Sequence, residues 1–413
     1  MRYTAINLGK PAGWIQANSV TTNGFVSGTE NITASQDSWD GKWWVGTEIG
    51  NVYYSSDSGA NWTLQGSYGS RIRCFCPYQS GNYMAVGGDF TGTYNYLFGI
   101  QNTSYSSFDI TPLSNNGMNA PVYTLYNNAS NSCLYIGGAF TDVYNAFTNA
   151  YDKWVTLDYN GNIFYSFSNT FGNGFTGGNV YSITKDTANS NFVIVAGDFT
   201  GVVVNGSGQF ISYLFTFATA TGEDVTSFFG LGLALNNPCS SVVQNSSSIL
   251  VGGSFTNTQG YGSCNTNYGI QIYWNGGSWD ISDYLFQPSS NIDFITYLPT
   301  TGVFYTIVNG LTLYANTTQY ANIPIGGAWY CVAYNGSNTL FATNNQVSAG
   351  FLFYQYDQSV GVNISSGVWT FNTTGGSGFT NCYMTNINSA VEMIWNSALS
   401  KWFVISQEAC SFS

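Results

Sequence analysis

The heptapeptide VGGDFTG at residues 86–92 returns three times, as IGGAFTD at 136–142, VAGDFTG at 195–201 and VGGSFTN at 251–257. Each copy follows a short apolar run: YMAV, CLYI, FVIV and SILV in turn. A second β-rich run lies upstream of each, for example VYTLYNN from Val122 and VYSITKD from Val180. The segments joining the two runs, NNASNS and KDTANSN, are built of turn-forming residues. Every unit therefore reads as strand, polar turn, strand, then Gly-Gly and Phe.

The same pattern recurs without the full motif in KWWVGTEIGNVYY around Val45, VFYTIVNG around Ile307, TLFATNN around Ala342 and KWFVISQ around Val404. Anchors at Val45, Val86, Ile136, Val195, Val251, Ile307, Ala342 and Val404 are separated by 35 to 62 residues, and the wrap-around step through both termini is 54. A closing step inside the range of the others is the mark of a ring rather than an open solenoid. Each step has room for four short strands. Asn-Gly pairs at Asn23, Asn116, Asn160, Asn205, Asn275, Asn309 and Asn335 supply tight connections. Helix signals are nearly absent, while β-branched and aromatic residues run throughout. The reading is all-β: one closed β-propeller over residues 1–413, with eight four-stranded blades. Seven is the alternative, if the 35-residue step counts one hairpin too many. YTAINL from Tyr3, within a closing segment 1–20, is expected to supply the strand missing from the last blade.

Composition narrows function. The 413 residues include 8 Lys and Arg, 20 Asp and Glu and no histidine, for a net charge of −12, with only 7% charged residues. So few cations argue against binding nucleic acid or anionic membranes. Without histidine there is no Ser-His-Asp or Cys-His nucleophile system and no His-based metal site. The first twenty residues contain no apolar h-region, so synthesis without a secretory signal is expected. No run approaches eighteen apolar residues, which argues against membrane insertion. The eight cysteines (Cys74, Cys76, Cys133, Cys239, Cys264, Cys331, Cys382 and Cys410) form no C-x-x-C pair and read as mostly free, buried thiols. Ten N-x-S/T sequons, Asn31 and Asn316 among them, are no more than chance gives in so Asn- and Thr-rich a chain.

Residues 55–62, SSDSGANW, resemble the Asp-box of sialidase-type propellers, matched at Ser55, Asp57, Gly59 and Trp62. The resemblance implies a structural hairpin turn. The GG-[DAS]-F-T copies resemble the Delta-60-type propeller repeat of large bacterial and viral surface proteins. The Asn-, Thr-, Tyr- and Gly-rich, Lys-poor composition also resembles that of virion proteins of large DNA viruses or phages.

None of these resemblances supplies a catalytic set. A sialidase uses three arginines on its substrate carboxylate. This chain has only Arg2, Arg71 and Arg73, two of them on one strand. A glycosidase needs two carboxylates across its substrate. Asp89 and Asp198 share one repeat position, with Glu48 near the matching place in the first blade, but Ala139 and Ser254 fill that position in the other copies. A residue at a repeat position is expected to stabilise the turn after its strand. No D-x-D-x-D-G calcium loop occurs, and no cofactor or metal is expected. Aromatic residues make up 17% of the chain. Most are expected between blades, and Trp43, Trp44, Trp274 and Trp279, next to turns, are the candidates for exposed sugar-stacking rings. Together these features lead to the expectation of a non-enzymatic structural or attachment protein on a particle surface such as a virion. Its partners would be other coat proteins, host glycans, or both. The alternative is a carboxylate-pair glycosidase on the same scaffold.

Overall fold

A computed structural model of the chain describes strands and tight turns. Side chains are described in most segments between residues 32 and 317, and backbone alone in strands Arg2–Ile6 and Trp14–Ser19 and in those from 318 to 412. Among the described residues every element of length is a strand, and successive strands pair as antiparallel meanders.

Seven consecutive sheets are referred to here as sheets 1 to 7; a further four-stranded sheet, of Ile364–Ser365, Val368–Thr370, Asn381–Met384 and Cys410–Phe412, comes after them in sequence. The leading strands of sheets 1 to 7 are Ile32–Gln36, Ile72–Tyr78, Val122–Asn128, Val180–Lys185, Cys239–Gln244, Ile292–Leu298 and Trp329–Tyr334. Each leading strand pairs with a second strand, and these second strands hold the repeat anchors, from Trp43–Thr47 around Val45 to Asn338–Thr343 around Ala342. The short step between Ile307 and Ala342 therefore separates two distinct sheets.

The N-terminal segment contributes two strands rather than one. Arg2–Ile6 pairs with Ala390–Asn396, which also pairs with Lys401–Glu408 around Val404. Trp14–Ser19 becomes the fourth strand of sheet 7, beside Leu352–Asp357.

The core lies between the sheets. Trp44, Val52, Phe75, Val86 and Phe98 pack between sheets 1 and 2, and Tyr78, Leu97, Leu134, Ile136 and Leu157 between sheets 2 and 3. Further clusters join sheets 3 and 4 through Tyr135 and Val195, sheets 4 and 5 through Ile194 and Val251, and sheets 5 and 6 through Leu250 and Phe304. With both faces covered, whole strands are buried: Trp43–Thr47, Cys133–Gly138 and Ser248–Gly253 are buried at every residue.

The Gly-Gly pair has a steric cause at each position. A Cβ on the first glycine would strike the next sheet: Gly87 would meet Val122 Cγ1 at 2.6 Å, Gly137 would meet Val180 Cγ1 at 2.4 Å and Gly252 would meet Ile292 Cγ2 at 2.4 Å. Sheet 4 carries Ala196 here, and the residue it faces in the next sheet is the smaller Cys239. A Cβ on the second glycine would strike the carbonyl just before its own leading strand, as Gly138 would Pro121 O at 2.2 Å. In sheets 2, 3 and 5 neither position has room for a side chain.

Candidate functional site

The residue after each glycine pair closes the hairpin: the N–H groups of Asp89, Ala139, Asp198 and Ser254 donate to the carbonyls of Arg71, Pro121, Asn179 and Pro238. The motif phenylalanines Phe90, Phe140, Phe199 and Phe255 are fully buried. Each accepts a backbone hydrogen bond from the residue just before the third strand, namely Tyr96, Lys153, Tyr213 and Tyr268. Those four hold φ between 66° and 70°, and their own carbonyls accept from the second glycine or its counterpart Gly197. Left-handed backbone at non-glycine residues is costly, so its repetition marks a built clamp. The clamp isolates whatever lies between Phe and the third strand from the sheet beneath. That connection is short after Phe90 and much longer after Phe140, Phe199 and Phe255. After the latter three its first residues pair with the chain entering the same sheet, in Met118 with Val143, Phe175 with Val202 and Leu235 with Thr258. At two of these places an asparagine ties the connection down: Asn119 Oδ1 accepts from the N–H groups of Thr141 and Asp142, and Asn236 Oδ1 from those of Thr256 and Asn257.

At this same end every leading strand carries a β-bulge at its second residue: Thr33, Arg73, Tyr123, Tyr181, Ser240, Asp293 and Tyr330. Bulges re-aim side chains and gather at functional rims. Four bulge residues, Thr33, Arg73, Tyr123 and Ser240, reach forward to the next sheet. Thr33 Oγ1 donates to Ile72 O at 2.5 Å, and Ser240 Oγ to Ile292 O at 2.5 Å. The Arg73 guanidinium lies 4.6 Å from the Tyr123 ring centre, and the Tyr123 and Tyr181 rings are 5.7 Å apart. A cation and two half-buried rings thus form one row across sheets 2, 3 and 4.

Two carboxylates hold the row. Asp89 receives Arg73 Nε and Nη2 on its two oxygens, at 2.5 and 2.8 Å. Asp198 accepts the Asn179 N–H on Oδ1 and the Tyr181 hydroxyl, at 2.8 Å, on Oδ2. Gly178 makes room for it, since a Cβ there would lie 2.5 Å from Asp198 Oδ1. Burial and the neighbouring carboxylate raise the Tyr181 phenol above its ordinary value, so it stays a hydrogen-bond donor at neutral pH. Asp89 thus forms a bidentate ion pair, and Asp198 caps the turn at Asn179.

The aromatic candidates fare differently. Trp43 and Trp44 are 2% and 0% exposed, which corrects the expectation of exposed rings; both lie within a strand covered on both faces. All described tryptophans are buried, including Trp62 and Trp154. Trp274 and Trp279 face each other across one hairpin, Gly269–Trp274 with Trp279–Asp283, and their side chains lie outside the described residues. Of the Asp-box residues, Ser55 and Trp62 are buried, and Asp57 and Gly59 lie outside the described residues. Sequence reasoning did not reach Tyr123 and Tyr181, and Arg73 entered only as a rejected sialidase ligand. The available signal was the residue after the first buried position of each leading strand.

Cys74, Cys76, Cys133 and Cys239 are free thiols. Burial pushes Cys76 and Cys239 up to about 12 and Cys133 up to about 11, so they are unreactive at neutral pH. Among the described residues no group of His, Cys, Asp or Glu could hold a metal, and no helix is long and apolar enough to cross a membrane.

No family model and no curated protein sequence matches this chain. Solved structures do. A chain of the mitotic checkpoint complex is similar over 85% of this chain and 93% of its own, at 12% identity and a TM-score of 0.53. The WD40 β-propeller domain of Doa1 is similar over 86% of this chain and 100% of its own, at 11% identity and a TM-score of 0.52. At such identities the likeness establishes fold alone: the chain is a β-propeller.

Proposed function

We propose that this chain is a non-enzymatic attachment or structural protein of a particle surface such as a virion. It works as a closed seven-bladed propeller whose bulged end contacts coat proteins or glycans. The ring count rests on the leading strand Ile32–Gln36 lying against both Ile72–Tyr78 and Trp329–Tyr334. Trp14–Ser19 then closes the seventh blade. The observation that carries the functional reading is the row of Arg73, Tyr123 and Tyr181, fixed by Asp89 and Asp198. It is a preorganised contact surface of rings and hydrogen-bonding groups, of the kind enriched at interfaces. The glycosidase alternative is disfavoured because Asp89 spends both oxygens on Arg73.

The test is quantification of this chain in gradient-purified particles from the producing cell, alongside a glycan array with the purified protein. A fixed stoichiometry in particles, or glycan binding lost on Tyr123→Ala, is the expected outcome. Absence from particles together with no glycan binding overturns the proposal.

A further inference from the structure

Sheets 2 and 4 place a carboxylate at the same hairpin position and give it different partners. In sheet 2 the carboxylate after the glycine pair, Asp89, is paired by the bulge residue of its own strand, Arg73, and that guanidinium stacks on the bulge residue of the next strand, Tyr123. In sheet 4 the carboxylate recurs at the same hairpin position, with its N–H on the carbonyl preceding the leading strand as in sheet 2. Here the bulge residue is Tyr181, and Asp198 receives only neutral donors, the Asn179 N–H and the Tyr181 hydroxyl. Among the described residues no cation pairs with Asp198. A carboxylate offers about four lone-pair sites, and two donors leave acceptor capacity for a third group. The row of stacked groups also ends at Tyr181, because the next bulge residue is Ser240, whose hydroxyl turns to Ile292 O. Arg73 and Asp89 cancel in charge, so Asp198 carries the uncompensated negative charge of the row, on a chain of net charge −12.

From this internal comparison we infer that Asp198 and Tyr181 form a docking point for an arginine side chain of a partner protein, its guanidinium pairing with the Asp198 carboxylate as Arg73 pairs with Asp89 and lying against the Tyr181 ring of the same sheet. The guanidinium fork matches a carboxylate, and its flat face matches a phenol ring. The inference rests on the reading of the bulged end as the contact surface and names the chemistry of its partner.

The test titrates the full chain with the peptide acetyl-Gly-Gly-Arg-Gly-Gly-amide by calorimetry at low ionic strength, with a citrulline peptide as the neutral control. The arginine peptide is expected to bind and the citrulline peptide to bind at least about tenfold more weakly, as loss of a charge-assisted hydrogen bond implies. Asp198→Asn keeps the acceptor for the Asn179 N–H and should weaken binding about tenfold or more. Tyr181→Arg installs the sheet 2 arrangement in sheet 4 and should abolish binding while leaving the circular dichroism spectrum native. Equal binding of both peptides, or unchanged arginine binding in either variant, overturns the inference. So does an uncharged oligosaccharide that competes for the site. If the peptide fails to bind while the chain remains in particles, only the arginine site falls. If the peptide binds as described but the chain is absent from particles, only the particle reading falls.

Discussion

Sheet 1 and sheets 2 to 5 solve the same junction differently. In sheets 2 to 5 a buried phenylalanine and a left-handed residue clamp the base of the connection to the third strand. In sheet 1 the chain turns at once: Gly50 N–H donates to Thr47 O, Asn51 N–H donates to Thr47 Oγ1, and Gly50 holds φ at 91°. Thr47 stands where the second glycine stands elsewhere, and Ile49, in place of the phenylalanine, is 45% exposed. The difference teaches what the repeated Phe is for. It is a sheet-closing plug that lets a connection grow without disturbing the ladder below, and a sheet with no insertion has no use for it.

The largest effect should come from removing that plug. Phe140→Ala should lower unfolding free energy by about 3–5 kcal/mol, as for other buried phenylalanines, whereas Ile49→Ala should stay within about 0.5 kcal/mol. Urea denaturation of both variants checks this, and equal losses would erase the distinction between the two junctions.

A smaller effect tests the inter-sheet contact that sheet 1, with Gly46, shares with the others. Gly137→Ala should cost about 1–3 kcal/mol by overpacking against Val180. Adding Val180→Cys, which copies the Ala196 and Cys239 pairing of sheets 4 and 5, should recover much of the loss. A double-mutant cycle with no coupling would show that the contact is not what excludes a side chain at this glycine.

The smallest effect per site concerns the thiols, which the described part of sheet 1 lacks. Cys76, Cys133 and Cys239 ionise near 9 when unfolded but only at about 11 to 12 when folded. Their contribution is fully present below about pH 9 and is lost as pH rises from there toward 11 to 12, by on the order of 1 kcal/mol per thiol at pH 10. Stability measured at pH 8 and pH 10 should show this loss, and Cys133→Ala should reduce it. A pH-independent Cys133→Ala difference would remove that thiol as a cause.

Much of the hairpin architecture was legible because it depends on neighbours in sequence. An apolar run, a polar turn and a second apolar run specify a hairpin wherever they occur, and the anchors from Val45 to Ala342 all fall on second strands. The site was less legible. Trp43 and Trp44 looked exposed because they lie near a turn, but a sheet covered on both faces buries consecutive residues. Arg73, Tyr123 and Tyr181 are unremarkable as a sequence pattern. What makes them a row is a bulge at the same register in successive leading strands, and a bulge is a property of pairing.

Sequence alone determined that this chain is a repeating all-β protein of β-propeller type, without histidine chemistry and poor in charge, because hairpin periodicity and composition are carried by the residues themselves. Only the tertiary structure decided which strands the N-terminal segment joins, why each motif glycine has no alternative, and how residues from different sheets combine into one row. These depend on contacts between residues far apart in the chain, where backbone pairing and the space left by a neighbouring sheet set the outcome.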